Sequence, residues 1–279
     1  MQTLQDKVAA ITGAASGIGR ATAALMAQRG CHLALSDVDE GGLAATVAVC
    51  EAHRVRVVGT RVDVADRAAV HQWADDTAGT FGRVNVIVNN AGVALGATIE
   101  TMRYEDLEWL MGIDFWGVVH GTKAFLPYVK RSGDGHVVNL SSVFGLIAVP
   151  TQGAYNAAKF AVRGFTEALR EELAVEGAPV GVTCVHPGGI RTNIARAARM
   201  TESGAYGMDK ETAATEFERT ARTSPEEAAA DIVAAIIGNR PRQLIGWDAV
   251  AIDLLQRLLP TGYQQLLVLL ARRRRAQAA

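Results

Sequence analysis

Tyr155 and Lys159 stand four residues apart in a stretch with helical periodicity, so their side chains fall on one face. A free tyrosine, with a pKa of about 10, is a poor base near neutrality. A neighbouring ammonium, together with a cationic nicotinamide, would favour the phenolate, and a downward shift of roughly three units equals about 4 kcal/mol of differential stabilisation. A tyrosine tuned in this way can shuttle protons. Taken alone, the same spacing describes an amphipathic surface equally well. A second cluster lies near the N-terminus. The apolar run Val8-Ala9-Ala10-Ile11 leads into Thr12-Gly13-Ala14-Ala15-Ser16-Gly17-Ile18-Gly19 and then a helical pattern. Glycines there permit a tight turn and let backbone N–H groups approach a pyrophosphate at a helix N-terminus. A plain strand-to-helix connection would use the same residues. Asp37 ends the next apolar run, eighteen residues after Gly19, near the spacing expected of an acid that binds the ribose hydroxyls of a dinucleotide. Its carboxylate would repel a 2′-phosphate by about 1–4 kcal/mol at a separation of about 4 Å. Residue 38 is valine, so no adjacent base offsets that repulsion, and NAD is favoured over NADP. Arg20 reads either as a phosphate partner or as a solvated residue.

These groups need a scaffold, and the patterning supplies one. Short apolar β-type runs at residues 7–12, 32–36, 55–62, 84–89, 136–140, 180–186 and 243–247 alternate with helical segments such as 19–29, 65–81, 104–130 and 154–176. Several runs are nearly continuous in Val, Ile and Leu, as in strands buried on both faces of a parallel sheet. The alternation predicts an α/β fold: a Rossmann-type, doubly wound parallel sheet of about seven strands in a single domain. Ser224, Pro225 and Glu227 form a capping-box signature that starts a helix. The long mixed segment at about 188–223 has the character of a substrate loop.

The chain has 279 residues, 49% of them hydrophobic, which excludes disorder. A formal charge of −1 argues against a nucleic-acid binder. Cys31, Cys50 and Cys184 are scattered and odd in number, so neither a disulfide framework nor a metal site is expected, and the setting is reducing and cytoplasmic. The six histidines lack paired-ligand spacing. No apolar run reaches the roughly 18 residues of a spanning helix.

The motifs Thr12-Gly13 through Gly17-Ile18-Gly19, Asp63-Val64, Asn89-Asn90-Ala91-Gly92, Ser142, Tyr155 with Lys159, and Pro187-Gly188 occur in one order. As a set they resemble the short-chain dehydrogenase/reductase family over about residues 3–250. The resemblance implies that Tyr155 is the general acid in ketone reduction and the base in alcohol oxidation. It selects Ser142, thirteen residues before Tyr155, over Ser141 as the group that holds the substrate oxygen. Lys159 would bind the nicotinamide ribose and lower the Tyr155 pKa. Asp63 and Val64 would meet the adenine. Asn89, Asn90, Ala91 and Gly92 would line the cofactor together with Gly13, Ser16, Gly17, Ile18 and Gly19, with Asn89 also bracing the central strands. After Pro187-Gly188, the backbone at Ile190 and the Thr192 hydroxyl would hold the carboxamide. His186, just before that turn, reads as structural.

One position departs from the family pattern. The family places asparagine three residues before the glycine that is Gly117 here, and this chain has Asp114. Activity is expected to survive the exchange, because the family's role for that residue runs through its backbone, and the carboxylate is expected to raise the Lys159 pKa by attraction. Phe144, Val149 and Ile194, with Leu95, Val143, Leu146, Met200, Tyr206 and Met208, offer an apolar lining that suits lipophilic secondary alcohols and ketones. Arg191, Arg196 and Arg199 leave an anionic substrate open. The expected reaction is hydride transfer between NAD(H) and such a substrate. The alternatives are an NADPH-preferring oxoacyl- or steroid-type reductase and a non-catalytic cofactor sensor. Family members pair the helices at 104–130 and 154–176 into homodimers or homotetramers, and the same is expected here. Residues 251–279 form an extension in which Leu266-Leu267-Val268-Leu269-Leu270-Ala271 runs into Arg272-Arg273-Arg274-Arg275. It is expected to pack over its own or a neighbouring subunit; a weak membrane-surface contact is the other reading.

Overall fold

A computed structural model describes residues 1–200 and 210–278. In chain order the elements are β1 (Val8–Thr12), α1 (Gly17–Gln28), β2 (His32–Asp37), α2 (Glu40–Glu51), β3 (Val57–Arg61), α3 (Arg67–Phe81), β4 (Val86–Asn89), β5 (Leu95–Gly96) and α4 (Tyr104–Met111). A π-helical turn (Gly112–Trp116) joins α4 to α5 (Gly117–Arg131), followed by β6 (Gly135–Leu140), a 3₁₀ turn (Val143–Gly145), α6 (Gly153–Val175) and β7 (Val180–Pro187). The chain continues through α7 (Ile194–Ala197), β8 (Arg199–Met200), α8 (Lys210–Thr220), α9 (Pro225–Ile237), β9 (Arg242–Ile245), α10 (Trp247–Leu258) and α11 (Gly262–Ala278).

All seven expected strands form one parallel sheet in the order β3-β2-β1-β4-β6-β7-β9. Alternation along each strand sends neighbouring residues to opposite faces. Ala9, Ile11, Leu33, Leu35, Val86 and Val88 therefore pack with Ala23 and Met26 of α1 and Ile232 and Ile236 of α9. Ala10, Ala34, Ile87, Val137 and Val182 pack on the other face with Trp73 of α3, Phe125 and Val129 of α5, and Leu169 and Leu173 of α6. Strand order reverses between β1 and β4, and in such sheets the crevice at the carboxyl ends of the strands there is the ligand position. Thr12, Asp37, Asn89 and Leu140 end their strands at that edge.

Three boundaries differ from the sequence reading. The stretch at 104–130 is not one helix: five residues with π geometry interrupt it, a form of break common at functional sites. Within the segment at 188–223 the described residues include α7, α8 and β8, which pairs with β5 to form a second, two-stranded sheet. Helix α10 spans Trp247–Leu258 and so runs across the expected boundary at residue 250. The capping box at Ser224 is present in full. Helix α11 is seated by Tyr263, only 5% exposed, whose hydroxyl accepts a hydrogen bond from the Ala148 amide at 3.2 Å. Leu266, Leu269 and Leu270 on the same helix remain exposed.

Candidate active site

The glycine turn is shaped by close backbone packing. Asn90 Nδ2 donates to the carbonyls of Thr12 (2.9 Å) and Gly13 (3.0 Å), while Thr12 Oγ1 accepts from the amides of Asn90 and Ala91, both at 3.0 Å. Gly13 has φ +66°, and a Cβ there would lie 2.8 Å from Ala91 Cα, so only glycine fits. Gly17 has φ +52°, with Thr192 against it. Helix α1 begins at this turn with no side-chain cap and no acid in its first turn, whereas Asp39, Asp66 and Ser224 cap α2, α3 and α9. Its first backbone N–H groups and the positive end of the helix dipole are thus left for an anion. Asp37 Oδ2 accepts from the Ala15 amide at 2.9 Å and Oδ1 from the Asp39 amide at 3.0 Å. A carboxylate has about four acceptor positions, so each oxygen of Asp37 keeps one for a diol. The fit to a dinucleotide is good on all three counts. Arg20 is exposed, and its guanidinium bonds the carbonyls of Ala15 and Gly42 and the Thr46 hydroxyl, tying the glycine turn to α2.

Asp63 is exposed and accepts from the Ala65 amide, while Val64 is buried with its side chain against Gly117. Asn89 is buried. Its Nδ2 donates to Thr122 Oγ1 (3.1 Å) and Asn139 Oδ1 (2.8 Å), and Asn139 in turn donates to Thr166 Oγ1. That buried chain braces β4, β6, α5 and α6 against one another.

The structure separates the two serines. Ser141 Oγ donates to the Lys159 carbonyl at 2.8 Å and serves the backbone of α6. Ser142 caps the 3₁₀ turn, its Oγ accepting from the Phe144 amide at 3.1 Å, and also hydrogen-bonds the Tyr155 side chain. Tyr155 is half-buried, with Phe144 edge-on at 6.1 Å, and packs on a cluster of Leu95, Ala97, Leu110, Ala154 and Ala158. Lys159 Nζ sits 5.3 Å from the centre of the Tyr155 ring, donates to the Leu140 carbonyl at 3.2 Å and pairs with Asp114 Oδ2 at 3.0 Å. Burial pushes the Tyr155 pKa up; Lys159 and the Ser142 bond pull it down, Asp114 pushes it up again, and the net direction is upward. The downward pull of Lys159 on the phenol agrees with the sequence expectation; burial is the opposing and larger effect. Burial opposes charge on Lys159, but Asp114 and then Tyr155 outweigh it and hold the ammonium above its usual range, as expected. Burial also raises the Asp114 carboxyl, more than Lys159 and the Val93 amide lower it.

Several supporting groups carry no local motif. His186 Nδ1 lies 2.9 Å from the Ser142 carbonyl, and burial pushes its pKa down to about 4, so the neutral ring donates to and fixes Ser142. Asn156 Nδ2 donates to the Val149 carbonyl at 2.9 Å. Asp248 of α10 accepts from the Gly189 amide at 2.6 Å, and a side chain at Gly188 would collide with that carboxylate. Pro187 and Ile190 are buried around this turn. On the substrate side, Phe144, Val149 and Ile194 are half-buried, while Leu95, Val143 and Leu146 are buried. Arg199 lies over Trp109 at 3.6 Å and pairs with Asp106, and Arg196 pairs with Glu218, so both arginines are engaged within the chain. Met200 packs against Gly96; Tyr206 and Met208 lie outside the described residues.

Comparison with known proteins accords with this geometry. A family model described as short chain dehydrogenase matches residues 7–203. SadH of Mycobacterium tuberculosis (strain ATCC 25618 / H37Rv) is 51% identical over 267 residues, covering 95% of each chain. The crystal structure of a short chain dehydrogenase/reductase from Burkholderia phymatum, in complex with NAD, superposes with a TM-score of 0.86 at 34% identity, covering 93% of this chain and 95% of that one. Levodione reductase superposes with a TM-score of 0.78 at 29% identity, covering 89% of this chain and 99% of that one.

Proposed function

The chain belongs to the short-chain dehydrogenase/reductase family of oxidoreductases, and from that premise we propose that it interconverts a lipophilic secondary alcohol and its ketone with NAD(H), Tyr155 exchanging the proton. The observation that carries this reading is the convergence of Ser142, Tyr155 and Lys159 at the carboxyl edge of the sheet, beside an uncapped helix N-terminus. NAD, when bound, supplies the hydride acceptor or donor. Gly13, Ser16, Gly17, Ile18 and Gly19 would take its pyrophosphate, Asp37 its adenosine ribose, Asp63 and Val64 its adenine. Asn90, Ala91, Gly92, Pro187, Gly188, Ile190 and Thr192 would line the rest, with Tyr155 and Lys159 at the nicotinamide ribose.

The chain's own groups do the proton chemistry. Ser142, fixed by His186 and by its capping bond, donates to the substrate oxygen. Tyr155 removes the hydroxyl proton in oxidation and returns it to the carbonyl oxygen in reduction. Lys159 stabilises the phenolate whenever it forms. Phe144, Val149 and Ile194 shed water from the carbon skeleton, and the internal pairing of Arg196 and Arg199 favours a neutral substrate over an anionic one. Asp37, with valine beside it, supports NAD over NADP. Trp116 and Phe160 stay 51% and 40% exposed, which supports pairing of copies into a homodimer or homotetramer. No helix among the described residues is long and apolar enough to cross a membrane. A cytoplasmic setting is the reading that three free, buried cysteines support. Reduced-cofactor absorbance with NAD and NADP against a panel of secondary alcohols tests the proposal. Turnover is expected with NAD and apolar alcohols; turnover confined to NADP or to anionic substrates would refute it.

A further inference from the structure

Asp114 is the position at which this chain leaves the family pattern, and its surroundings give the exchange a consequence. The side chain has no accessible surface, yet it carries a carboxyl group. It sits on the π-helical turn, where Oδ1 accepts from the Val93 amide at 2.8 Å and Oδ2 faces Lys159 Nζ at 3.0 Å. Gly92 closes over the pair: a Cβ there would lie 3.3 Å from Asp114 Oδ2 and 3.5 Å from Lys159 Nζ. The ionisable groups facing the cluster are Asp114 from the π turn, Tyr155 and Lys159 from α6, and Cys184 from β7. Burial pushes the Cys184 thiol up to about 12, so it contributes no charge near neutrality.

We propose that Asp114 is a positioning residue that turns Lys159 from a lone ammonium into half of a neutral, buried ion pair, and thereby sets the pH range over which Tyr155 exchanges its proton. The inference rests on the assignment of Tyr155 as the proton-transfer group. With asparagine at 114 the ammonium beside Tyr155 would have no counter-charge and would favour the phenolate. With aspartate, the field at the phenol is that of a dipole. Tyr155 then keeps its proton to higher pH, which equips the site as an acid for ketone reduction near neutrality and moves alcohol oxidation to alkaline pH. Burial is the first cause of the raised Tyr155 pKa, and Asp114 adds to that rise against the pull of Lys159.

The test uses Asp114→Asn, which has nearly the shape of aspartate and retains an oxygen for the Val93 amide. Two readouts apply: the pH profile of kcat/KM for alcohol oxidation, and tyrosinate absorbance of the protein titrated without cofactor, with Tyr155→Phe as the blank. Both midpoints are expected to fall by about one to two pH units relative to wild type, the range for a charged neighbour. Unchanged midpoints in a folded Asp114→Asn protein would overturn the inference. Should that variant not fold, Asp114→Ser, which also removes the charge, carries the same two readouts: midpoints that fall support the inference and unchanged midpoints overturn it. Wild-type turnover by Tyr155→Phe would instead overturn the assignment of Tyr155. An inactive Tyr155→Phe together with unmoved Asp114→Asn midpoints would overturn the role of Asp114 alone.

Discussion

Replacing Asp248 with alanine should loosen the turn after β7 from a distance of 59 residues in sequence. The Asp248 carboxylate accepts the Gly189 amide at 2.6 Å and packs beside Gly188 and Gly246. A hydrogen bond to a charged acceptor contributes about 1.5–3 kcal/mol net. The site is half-buried, so about 2 kcal/mol is the working figure for Asp248→Ala. In a domain of this size each kcal/mol moves Tm by about 2–4 °C, giving an expected fall of about 4–8 °C. Because the turn carries Ile190 toward Thr192, the KM for NAD should rise several-fold while kcat changes less. Asp248→Asn keeps an acceptor oxygen for Gly189 and should lose about half as much. Scanning calorimetry and initial-rate kinetics on both variants read these effects. A Tm and KM that stay at wild-type values in Asp248→Ala would refute the reasoning.

Asp37→Asn should shift the ratio of kcat/KM for NAD to that for NADP by roughly tenfold or more toward NADP, since a decade corresponds to 1.4 kcal/mol; initial rates with both cofactors check it, and an unmoved ratio would show that the carboxylate does not discriminate. Acid should destabilise the fold through two histidines. Burial pushes His136 down to about 3 and His186 to about 4. The unfolded chain takes up those protons near pH 6.5, so stability is complete above that value and is lost on acidification. Each imidazole removes about 2 kcal/mol between pH 7 and pH 5. His136→Asn should show about half the wild-type drop in stability over that interval, measured by urea unfolding, and an equal drop would contradict the assignment.

The scaffold was legible because parallel strands buried on both faces must be apolar throughout, and residues such as Val86, Ile87 and Val88 say so locally. Strands β5 and β8 were not, since two residues each carry no periodicity; they form by pairing Leu95 with Arg199 and Gly96 with Met200, far apart in sequence. Helix α2 carries Gly41 and Gly42, poor helix formers, in its first turn and owes its start to the Asp39 cap and the packing of Leu43, Thr46 and Cys50. Within the site, the spacing of Ser142, Tyr155 and Lys159 was readable because one helix and one strand end hold all three. His186, Asp248 and Tyr263 reach the same region from 44, 59 and 115 residues away from their partners, through contacts that only the folded chain creates. The balance of effects on the Tyr155 pKa was only half legible for a related reason. Charge proximity is visible in a motif, whereas burial depends on Leu95, Leu110 and Ala158 closing around the ring.

The most direct test of the account is the Tyr155→Phe variant, followed by NAD binding and by turnover of whichever secondary alcohol the wild type oxidises best. The substitution removes one oxygen and leaves the ring on its apolar cluster. Binding of NAD should remain within about threefold of wild type, while kcat falls by about 10²–10⁴-fold, the range for loss of a positioned proton-transfer group. Turnover at the wild-type rate would contradict the central claim that this phenol carries the proton.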